Sequence, residues 1–309
     1  MERNTIRFGI DLGGSKIELI ALDGEGGELW RRRVPTPQGS YAGTLDALAA
    51  LVHEAEAGLG ARGTVGIGTP GAISPASGLM KNSNSVCLNG RPLKEDIEAL
   101  LDREIRIAND ANCFALSEAT DGAAAGAEVV FGVIIGTGCG GGVVVRGHVL
   151  TGPNAIAGEW GHNPLPWPQA DELPGPSCYC GKRGCLETWL SGPGLSREAH
   201  RVAGLDVQPA ELVRRAGAGD EVCEAALQRY EDRLARGLAQ VVNVLDPEAI
   251  VLGGGLSNMP RLYANVPRIW GRYVFSDTVR TRLLPARYGD SSGVRGAAWL
   301  WNDRAGRRR

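Results

Sequence analysis

The chain has 309 residues, of which 43% are hydrophobic, and its formal net charge at pH 7 is −2. This length suggests two domains or one large one, and the near balance of charge argues against a nucleic-acid-binding surface. The sequence contains no run of about 18 apolar residues, so no membrane span is expected. The polar start (residues 1–5) lacks a signal-peptide pattern. The arginines at 304–309 are interpreted as a solvated tail.

The cysteines indicate the cellular compartment. There are seven, an odd count, and three of them lie close together between Cys178 and Cys185. Without a secretion signal, this spacing favours a metal site over disulfides. We therefore expect a cytoplasmic protein.

Strands and helices alternate along the first half of the chain. A hairpin is expected first, because two apolar segments flank the glycine tip of residues 11–16. Residues 81–92 are polar and are predicted to form a loop. The predicted strands are 6–12, 17–22, 29–34, 64–68 and 105–108, and the predicted helices are 41–57, one opened by Pro92, and one from about 112 to 125.

The second half repeats the opening pattern. Strands are predicted at 129–135 and 143–146, with the glycine-rich turn 136–142 between them. A recurring strand–turn–strand unit indicates a duplicated domain, and the alternation of strands and helices indicates an α/β class. Two lobes with a ligand-binding cleft are expected. The other predicted elements are a loop-rich stretch at 151–192, a helix at 211–245, a strand at 249–252 and a final short helix at 296–301.

The first glycine turn, 11–16, is a candidate phosphate-binding element. It lacks the G-x-x-x-x-G-K-[ST] spacing of a P-loop, and a strand follows it instead of a helix. Glycine-rich backbone still offers N–H groups to phosphate oxygens, and Asp11 at its mouth suits Mg²⁺ held through water. An ordinary β-hairpin is the alternative. The candidate nucleotide-binding residues here are Asp11, Gly13, Gly14, Ser15 and Lys16.

The second turn strengthens this hypothesis. Five of its seven residues are glycine, and folding alone is a poor explanation because glycine weakens strands. The run 253–255, at a predicted strand-to-helix junction, would let a nucleoside lie against the backbone, although a tight βα turn is also compatible with it. The candidate nucleotide-binding residues here are Gly136, Thr137, Gly138, Gly140, Gly254 and Gly255.

Asp110 is the candidate catalytic base. It follows an apolar strand and precedes a predicted helix, a position that suits a carboxylate taking a hydroxyl proton during phosphoryl transfer. A helix N-cap is the alternative role for it. Planar polar side chains suit sugar binding, although each is also compatible with a solvated surface. The substrate-binding candidates are Asn109, Glu159, His162, Glu187 and Gly71.

A cysteine cluster indicates a zinc site. Cys178, Cys180 and Cys185, together with His162 upstream, provide three thiolates and one imidazole. This is a closed tetrahedral set typical of structural Zn²⁺. Three cysteines cannot all pair as disulfides, and the loop around them is polar. The second imidazole nitrogen of His162 would remain for a sugar hydroxyl.

Taken together, these motifs resemble the ROK family (repressors, open reading frames, kinases) of the actin-like ATPase/hexokinase superfamily. The resemblance covers nearly the whole chain. One small departure is Ser15, where the family usually has threonine, so the hydroxyl is retained. The motifs that carry it are Asp11-Leu12-Gly13-Gly14-Ser15-Lys16, Asn109-Asp110-Ala111-Asn112, the glycine turn 136–142, Gly158-Glu159-x-Gly161-His162 and Cys178-x-Cys180-Gly181-x-x-Gly184-Cys185-x-Glu187.

The resemblance implies two ribonuclease-H-like lobes with a cleft between them, formed by residues 1–108 plus 297–309 and by residues 109–296. It implies that the C-terminal helix returns to the first lobe. It also implies ATP at the two glycine turns, Mg²⁺, a structural zinc, Asp110 as base, and sugar contacts from Asn109, Glu159, His162 and Glu187. A homodimer is the family expectation.

Finer features resemble the bacterial manno(fructo)kinase branch. They are the runs 81–85, 88–90, 161–167 and 289–299. The N-acetylglucosamine kinase branch is similar over much of the chain but usually lacks the Asn-Pro-Leu-Pro-Trp run at 163–167. Fructose, phosphorylated on O6, is therefore the expected acceptor, with mannose or glucose as further acceptors. N-acetylglucosamine or glucose kinase activity is the alternative.

Two other functions compete with a kinase. A DNA-binding repressor would need an N-terminal helix-turn-helix module of about 60 residues, and the first glycine turn already begins at Asp11. A non-catalytic sugar sensor would not need Asp110 and both glycine turns. A kinase acting on a small-molecule sugar and ATP, with neither a nucleic-acid nor a membrane partner, is therefore predicted.

Overall fold

The computed structural model describes residues 6–302, without the side chain of Ala203. The predicted polar start and the arginine tail lie outside the described residues. By their contacts, the described residues form two compact units, one of residues 6–126, 142–157 and 290–302 and the other of residues 127–141 and 158–289. No helix in this part of the chain is long and apolar enough to cross a lipid bilayer.

The helices and strands alternate along the chain as expected for an α/β protein. In chain order they are β1 Arg7–Leu12, β2 Lys16–Leu22, β3 Glu28–Pro35, α1 Tyr41–Leu59, β4 Thr64–Thr69, β5 Ala72–Ile73, β6 Met80–Lys81, α2 Leu93–Leu101, β7 Ile105–Asn109, α3 Asp110–Thr120, β8 Val129–Ile135, β9 Cys139–Val145, β10 His148–Val149, α4 Glu187–Leu190, α5 Gly192–Ala203, α6 Pro209–Gly217, α7 Glu221–Leu245, β11 Ala249–Gly253, α8 Pro260–Trp270, β12 Arg282–Pro285 and α9 Ser292–Trp299.

Two five-stranded sheets have the same design. The first has the order β3-β2-β1-β4-β7, and the second has the order β10-β9-β8-β11-β12. In the first, β1 pairs antiparallel with β2 and parallel with β4, which pairs parallel with β7. In the second, β11 is parallel to both β8 and β12. The repeated order is the result that a duplicated domain predicts. The border between the two units runs through β9, at 141/142.

The core of the first unit explains why β1 and β4 are apolar throughout. Phe8, Ile10 and Leu12 are buried, and so are Val65 and Ile67 on the parallel neighbour β4. Strands covered on both faces have no solvent side, so they read as continuous apolar runs. Their carboxyl ends therefore meet at one edge of a rigid sheet.

Helix α9 returns to this sheet, as the resemblance implied. A Cβ on Gly66 of β4 would overlap the carbonyl oxygen of Ala297, so only glycine permits this approach. Gly296 lies equally close to the Cys113 carbonyl of α3. Because α3 packs on α9, the contact-based division puts α3 in the first unit. The expected lobes, 1–108 plus 297–309 and 109–296, remain a prediction; the compact units have other bounds at α3, at 142–157 and at 290–296.

Several local predictions differ from the structure, among them the final helix, which spans Ser292–Trp299 instead of 296–301. The helix expected over 211–245 is two helices, because Gly219 has a φ of +93° and the Asp220 side chain caps α7 by accepting the N–H groups of Val222 and Cys223. Helix α3 ends at Thr120 instead of 125. Helices α4 and α5 begin inside or just after the stretch expected to be loop.

A cluster of buried charges organises the second unit. Glu172 accepts hydrogen bonds from Arg233 (2.8 Å) and Arg236 (2.8 and 2.9 Å), and Arg233 also donates to Glu198 (3.0 Å). All four side chains are no more than 3% exposed. Arg236 also donates to the carbonyl groups of residues 166 and 167. The cluster thereby fixes the segment before the cysteine loop onto α7.

Candidate active site

Asn109 and Asp110 divide two roles between them at the junction of β7 and α3. The Asn109 side chain caps α3 by accepting the backbone N–H of Asn112 at 2.7 Å. Asp110 is the first residue of the helix and is exposed. Its carboxylate accepts the N–H of Ala111 at 2.8 Å. Because Asn109 fills the N-cap, the capping alternative for Asp110 does not hold.

A second carboxylate, Asp11, lies at the same edge of the sheet. Asp11 pairs with Gly68 on β4, and Thr69 of β4 pairs with Asn109 on β7, so the ends of β1 and β7 flank the end of β4. Burial, then the negative charges of Asp110 and Glu18, raise the pKa of Asp11 to about 6, although Lys16 acts in the opposite direction.

Desolvation by the surrounding protein also raises the pKa of Asp110, although the residue is solvent-accessible and backbone hydrogen bonds oppose the shift. Two neighbouring carboxylates repel each other when both are ionised, and a cation relieves this repulsion. Carboxylate oxygens are also the donors that Mg²⁺ prefers in proteins, usually with several waters retained. The side chains therefore fit the expected cation.

The first glycine turn is anchored from its carbonyl side. The Gly13 N–H donates to the Lys16 carbonyl at 3.0 Å, and the Gly13 carbonyl accepts the Thr36 hydroxyl at 2.7 Å. The Ser15 carbonyl accepts the Thr36 N–H at 3.1 Å. Gly14 and Ser15 are exposed at the tip. A rigid, exposed glycine hairpin suits binding of phosphate oxygens by backbone amides.

The second glycine turn contacts Glu187. Its first residue, Gly136, accepts the N–H of Gly192 from the start of α5 at 2.7 Å. The Glu187 carboxylate accepts the N–H of Cys139 at 3.0 Å. A Cβ on Gly138 would lie 2.8 Å from that carboxylate. Two of the predicted site elements, the turn and Glu187, are therefore brought together within one unit.

Part of the glycine run belongs to a strand, contrary to the expectation of a turn over 136–142. Strand β9 begins at Cys139. A Cβ on Gly141 would lie 2.8 Å from the Phe131 ring and 2.9 Å from the Gly158 carbonyl. Close packing therefore accounts for Gly141, which was not among the candidate nucleotide-binding residues, so folding explains part of this glycine run. Gly136 and Thr137 remain at the turn itself.

The segment with Glu159 and His162 lies along β9. The Trp160 indole donates to the Gly140 carbonyl at 3.0 Å and meets Phe131 edge-on, with ring centroids 5.7 Å apart. Trp160 is buried, whereas Glu159, at the start of a short 3-10 helix, is exposed. The buried indole thus orients the two polar side chains on either side of it.

The four predicted zinc ligands converge. The ligand atoms of His162, Cys178, Cys180 and Cys185 all lie within 4.8 Å of one another. The Cys178 Sγ is 3.6 Å from His162 Nδ1, and the Cys180 and Cys185 Sγ atoms are also 3.6 Å apart. Ligands on a tetrahedral zinc, at metal distances of about 2.0–2.3 Å, have similar separations. The donor set therefore fits a structural Zn²⁺.

Backbone pairing holds the loop in that shape. The Cys178 N–H donates to the Lys182 carbonyl at 2.9 Å, and the Gly181 N–H donates back to Cys178 at 3.0 Å. Pro164 bridges to Cys185, so the histidine and cysteine segments run side by side. The ligands are thus close together through protein contacts alone.

Tyr179 was not predicted to belong to the site. Its hydroxyl lies 2.9 Å from His162 Nε2, the nitrogen facing away from Cys178. Burial of the hydroxyl, followed by the charges of Glu187, Cys178 and Glu159, raises the pKa of Tyr179 to about 12. The only sequence signal was its location between two ligand cysteines. It occupies the imidazole nitrogen that was expected to bind the sugar.

Gly255 lines a large cavity in the second unit, and Gly254 precedes it in the chain. Gly254 has a φ of +82°, and a Cβ there would lie 2.5 Å from the Ile135 carbonyl. The cavity measures about 800 Å³. Among its lining residues are Gly136, Thr137, Pro193, Pro209, Gly255 and Leu256. A mixed apolar and backbone lining beside a glycine turn fits a nucleoside.

Gly71 has a structural role in the first unit. It has a φ of +79° and follows β4. A Cβ on it would collide with the backbone of residues 81–83. The Asn89 side chain makes two hydrogen bonds to the same loop: it accepts the Ser83 N–H and donates to the Ser83 carbonyl, both at 2.9 Å. Gly71 therefore supports the loop through its backbone.

Two sheets of identical strand order, a glycine turn after the first strand of each, and an acidic residue where β7 meets α3 define the class. This is the actin-like ATPase/hexokinase fold. A ROK hexokinase structure from Thermus thermophilus superposes with a TM-score of 0.85 at 35% identity, over 96% of this chain and 97% of that one. A ROK family glucokinase from Streptomyces griseus, solved with glucose and AMPPNP, gives a TM-score of 0.75 at 28% identity, over 96% and 98%.

The family follows from the sequence match. The ROK family model matches residues 7–304. The N-acetyl-D-glucosamine kinase of Pectobacterium atrosepticum is 40% identical over 297 residues, which are 95% of this chain and 98% of that protein. The N-acetyl-D-glucosamine kinase of Escherichia coli matches equally well. The chain belongs to the ROK family. The two relatives described above are sugar kinases.

Proposed function

We propose that this protein is a hexose kinase that transfers the γ-phosphate of ATP to the 6-hydroxyl of a free hexose. The observation that carries the proposal is the exposed carboxylate of Asp110 at the first position of α3. It is relieved of capping by Asn109 and lies at the same sheet edge as Asp11. A base beside a cation-binding carboxylate is the minimum that phosphoryl transfer requires.

In the proposed reaction, Asp110 accepts the proton of the sugar hydroxyl. The hydroxyl oxygen forms a bond to the γ-phosphorus, and the bond from that phosphorus to the β,γ-bridging oxygen breaks, so that ADP leaves. A raised pKa makes Asp110 a stronger base than an ordinary aspartate. Asp11, with Lys16 beside it, would hold the hydrated Mg²⁺, whose charge neutralises the phosphates when it is bound.

The glycine turns are proposed to hold the nucleotide. In the first unit the proposed nucleotide-binding residues are Gly13, Gly14 and Ser15. In the second they are Gly136, Thr137, Gly138 and Gly140, and the cavity of about 800 Å³ lined by Gly255, which follows Gly254, would receive the nucleoside. The exposed tips of both turns support this proposal, because backbone amides without side chains in front of them can approach phosphate.

Sugar hydroxyls are proposed to bind Asn109, Glu159 and Glu187, with Gly71 supporting the neighbouring loop. His162 is also proposed as a sugar contact, which requires a sugar hydroxyl to replace Tyr179 at Nε2. Zinc, when bound by His162 and the three cysteines, would fix the backbone that carries His162 and Glu187. The Asn109 amide nitrogen suits this role, since its oxygen is engaged in the cap. Glu187 is held by the Cys139 N–H, which leaves its second oxygen for a hydroxyl.

The comparisons favour N-acetylglucosamine as the acceptor, because the 40% identical relatives carry that activity in their names. Fructose is the second candidate. It rests on the resemblance of residues 163–167 to the manno(fructo)kinase branch. That run contacts the zinc loop, since the Leu165 N–H donates to the Gly184 carbonyl at 2.9 Å, and Trp167 stacks on Tyr273. Glucose is a further acceptor to test, given the glucokinase structure.

Two properties of the whole protein remain proposals. A homodimer is expected from the family resemblance, and light scattering of the purified protein tests it. A cytoplasmic location is proposed from the spacing of the cysteines, and fractionation of expressing cells tests it.

The test is ATP-dependent ADP release with Mg²⁺, measured separately on fructose, mannose, glucose and N-acetylglucosamine. The highest kcat/KM on N-acetylglucosamine would assign the chain to that branch, and the highest value on fructose would support the second candidate. Turnover of all four sugars within about threefold would contradict both acceptor assignments. Absence of turnover on every hexose would contradict the kinase, and calorimetry with the same sugars would then test the sensor alternative.

A further inference from the structure

Gln208 lies at the start of α6 with an unused side-chain amide. It occupies the N-cap position, where a short polar side chain usually accepts a backbone N–H, yet its side chain makes no capping hydrogen bond. Its backbone carbonyl accepts the N–H groups of Glu211 and Leu212 at 3.0 and 3.1 Å. Within the described part of the chain, the amide of this exposed residue has no hydrogen-bond partner. Its donor and its acceptor are therefore available to a ligand.

Gln208 lines the cavity of about 800 Å³ that is proposed to receive the nucleoside, as do Gly136 and Ser196. Close packing at the start of α5 explains this location. A Cβ on Gly192 would lie 3.4 Å from the Gly136 carbonyl and 3.8 Å from the Pro209 ring. The start of α6 is thus held next to the second glycine turn, and all of these residues belong to one compact unit.

A neighbouring cavity shows in which direction the first one extends. It measures about 370 Å³, and Arg197 and His200 line it together with Ser196 and Gln208. Because Ser196 and Gln208 line both cavities, they lie where the two meet. Gly136, by contrast, lines the larger cavity at the glycine turn. A nucleotide whose phosphates bind at that turn would therefore extend its base towards Ser196 and Gln208.

A carboxamide is complementary to one edge of adenine. Its planar group carries a hydrogen-bond acceptor and a donor side by side. Adenine presents the matching pair, with the N6 amino group as donor and N7 as acceptor, and a glutamine binds both in one bidentate contact. Guanine presents two acceptors, N7 and O6, at the same edge, so the amide oxygen would face an acceptor there. An unused glutamine amide at the base end of the cavity thus favours adenine.

We propose that Gln208 is a nucleotide-selecting residue, which binds the N6 and N7 edge of adenine through its side-chain amide and so favours adenine nucleotides over guanine nucleotides. The inference rests on the proposed hexose kinase function and deepens it. The preference that it predicts is a property of nucleotide binding alone, because the amide contacts the base and not the phosphates. It can therefore be measured with ADP and GDP in the absence of a sugar.

Calorimetry of the full chain with Mg²⁺ and ADP, GDP or 7-deaza-ADP, which lacks the N7 acceptor, is the test. Gln208→Leu keeps the size of the side chain and removes the amide, and we expect it to lower the GDP-to-ADP ratio of Kd about tenfold. The wild type should bind 7-deaza-ADP about three- to tenfold more weakly than ADP, the equivalent of one hydrogen bond, whereas Gln208→Leu should bind the two equally. Gln208→Arg should shift the preference towards GDP about tenfold, because a guanidinium binds N7 and O6 of guanine together. Gln228→Leu is the matched control and should behave as wild type, since the amide of this exposed α7 residue already donates to Glu224 at 2.9 Å.

Three results would overturn the inference. One is a Gln208→Leu variant whose GDP-to-ADP ratio stays within twofold of wild type, and another is a 7-deaza-ADP penalty that is the same in both proteins. The third is a wild type that binds neither nucleotide. The thermal midpoint of Gln208→Leu should equal that of wild type, because the side chain does not cap α6. Failure of the proposed function is distinct, because the wild type would then turn over no hexose while the Kd ratios would still test Gln208.

Discussion

Two carboxylates of the candidate active site and two of the arginine cluster have pKa values shifted in opposite directions. In the first pair, burial and mutual repulsion raise the pKa of Asp11 to about 6, and desolvation raises that of Asp110. In the second pair, burial would also raise the pKa values of Glu172 and Glu198, but hydrogen bonds and charges from arginines lower them to about 2. The negative charges of Asp11 and Asp110 are only partly offset by neighbouring cations, whereas those of Glu172 and Glu198 are paired with arginines.

This difference distinguishes carboxylates that suit the binding of a cation or a proton from carboxylates that stabilise the fold. A carboxylate with no cationic partner costs stability when it is ionised, and such sites persist where a cation or a substrate proton is to be bound. A carboxylate gripped by two guanidinium groups is strongly destabilising to remove, because its partners are left buried and unpaired. We therefore expect removal of a carboxylate to have opposite effects on stability at these two sites.

The largest effect is expected from removing a ligand of the proposed zinc site. Cys180→Ser removes one of four ligands, so zinc binding should be lost and the thermal midpoint should fall by about 10 °C or more. Cys87→Ser, a partly buried cysteine of the first unit, is the control and should keep both. Zinc per chain by mass spectrometry and a thermal melt are the measurements. A wild-type protein purified without zinc from zinc-supplemented medium would contradict the site.

Breaking the arginine cluster should come next. Glu172→Gln leaves Arg233 and Arg236 without their shared carboxylate, and we expect a loss of about 3–5 kcal/mol in the free energy of unfolding at pH 7. Because the folded pKa of Glu172 is lowered to about 2, the contribution is fully present above about pH 4.5 and is lost as pH falls towards 2.

Denaturant unfolding at several pH values measures this effect. Glu211→Gln, which breaks an exposed pair with Arg214, is the control and should leave the unfolding midpoint nearly unchanged. Equal behaviour of the two variants would remove the contrast between the two sites.

The smallest effect should have the opposite sign. The folded pKa of Asp11 is raised to about 6, so the folded state holds its proton more tightly, and stability falls as pH rises from about 4 to 6. Asp11→Asn should therefore raise the stability of the nucleotide-free protein at pH 7.5 by about 1–3 kcal/mol, while it weakens Mg·ATP binding.

Melting curves and calorimetry of Asp11→Asn measure the two effects. Asp46→Asn, on an exposed position of α1, should change neither. A destabilised Asp11→Asn would mean that the carboxylate is compensated after all.

The sequence predicted the parts of the molecule that local patterns determine. Apolar runs identified β1 and β4, and ligand spacing predicted the convergence of His162 with the three cysteines. The role of a single residue could not be predicted where two neighbouring residues were both compatible with it. Which of Asn109 and Asp110 caps α3 depends on side-chain geometry, which the sequence does not encode locally.

Features that depend on tertiary contacts were missed for the same reason. Gly141 is glycine because the Gly158 carbonyl and Phe131 approach it, and those residues are distant in sequence. The buried cluster of Glu172, Arg233 and Arg236 joins positions 61 and 64 residues apart. Tyr179 read as a loop residue, and only its distance to His162 Nε2 brought it into the site.

The most direct test of the account is Asp110→Asn, which keeps the shape of the side chain and removes the base. Turnover of the best hexose and its binding by calorimetry are measured together. We expect kcat to fall by about 10²- to 10⁴-fold, with the Kd of the sugar nearly unchanged and α3 intact, since Asn109 caps it. A variant that keeps near wild-type kcat would contradict the assignment of Asp110 as the catalytic base.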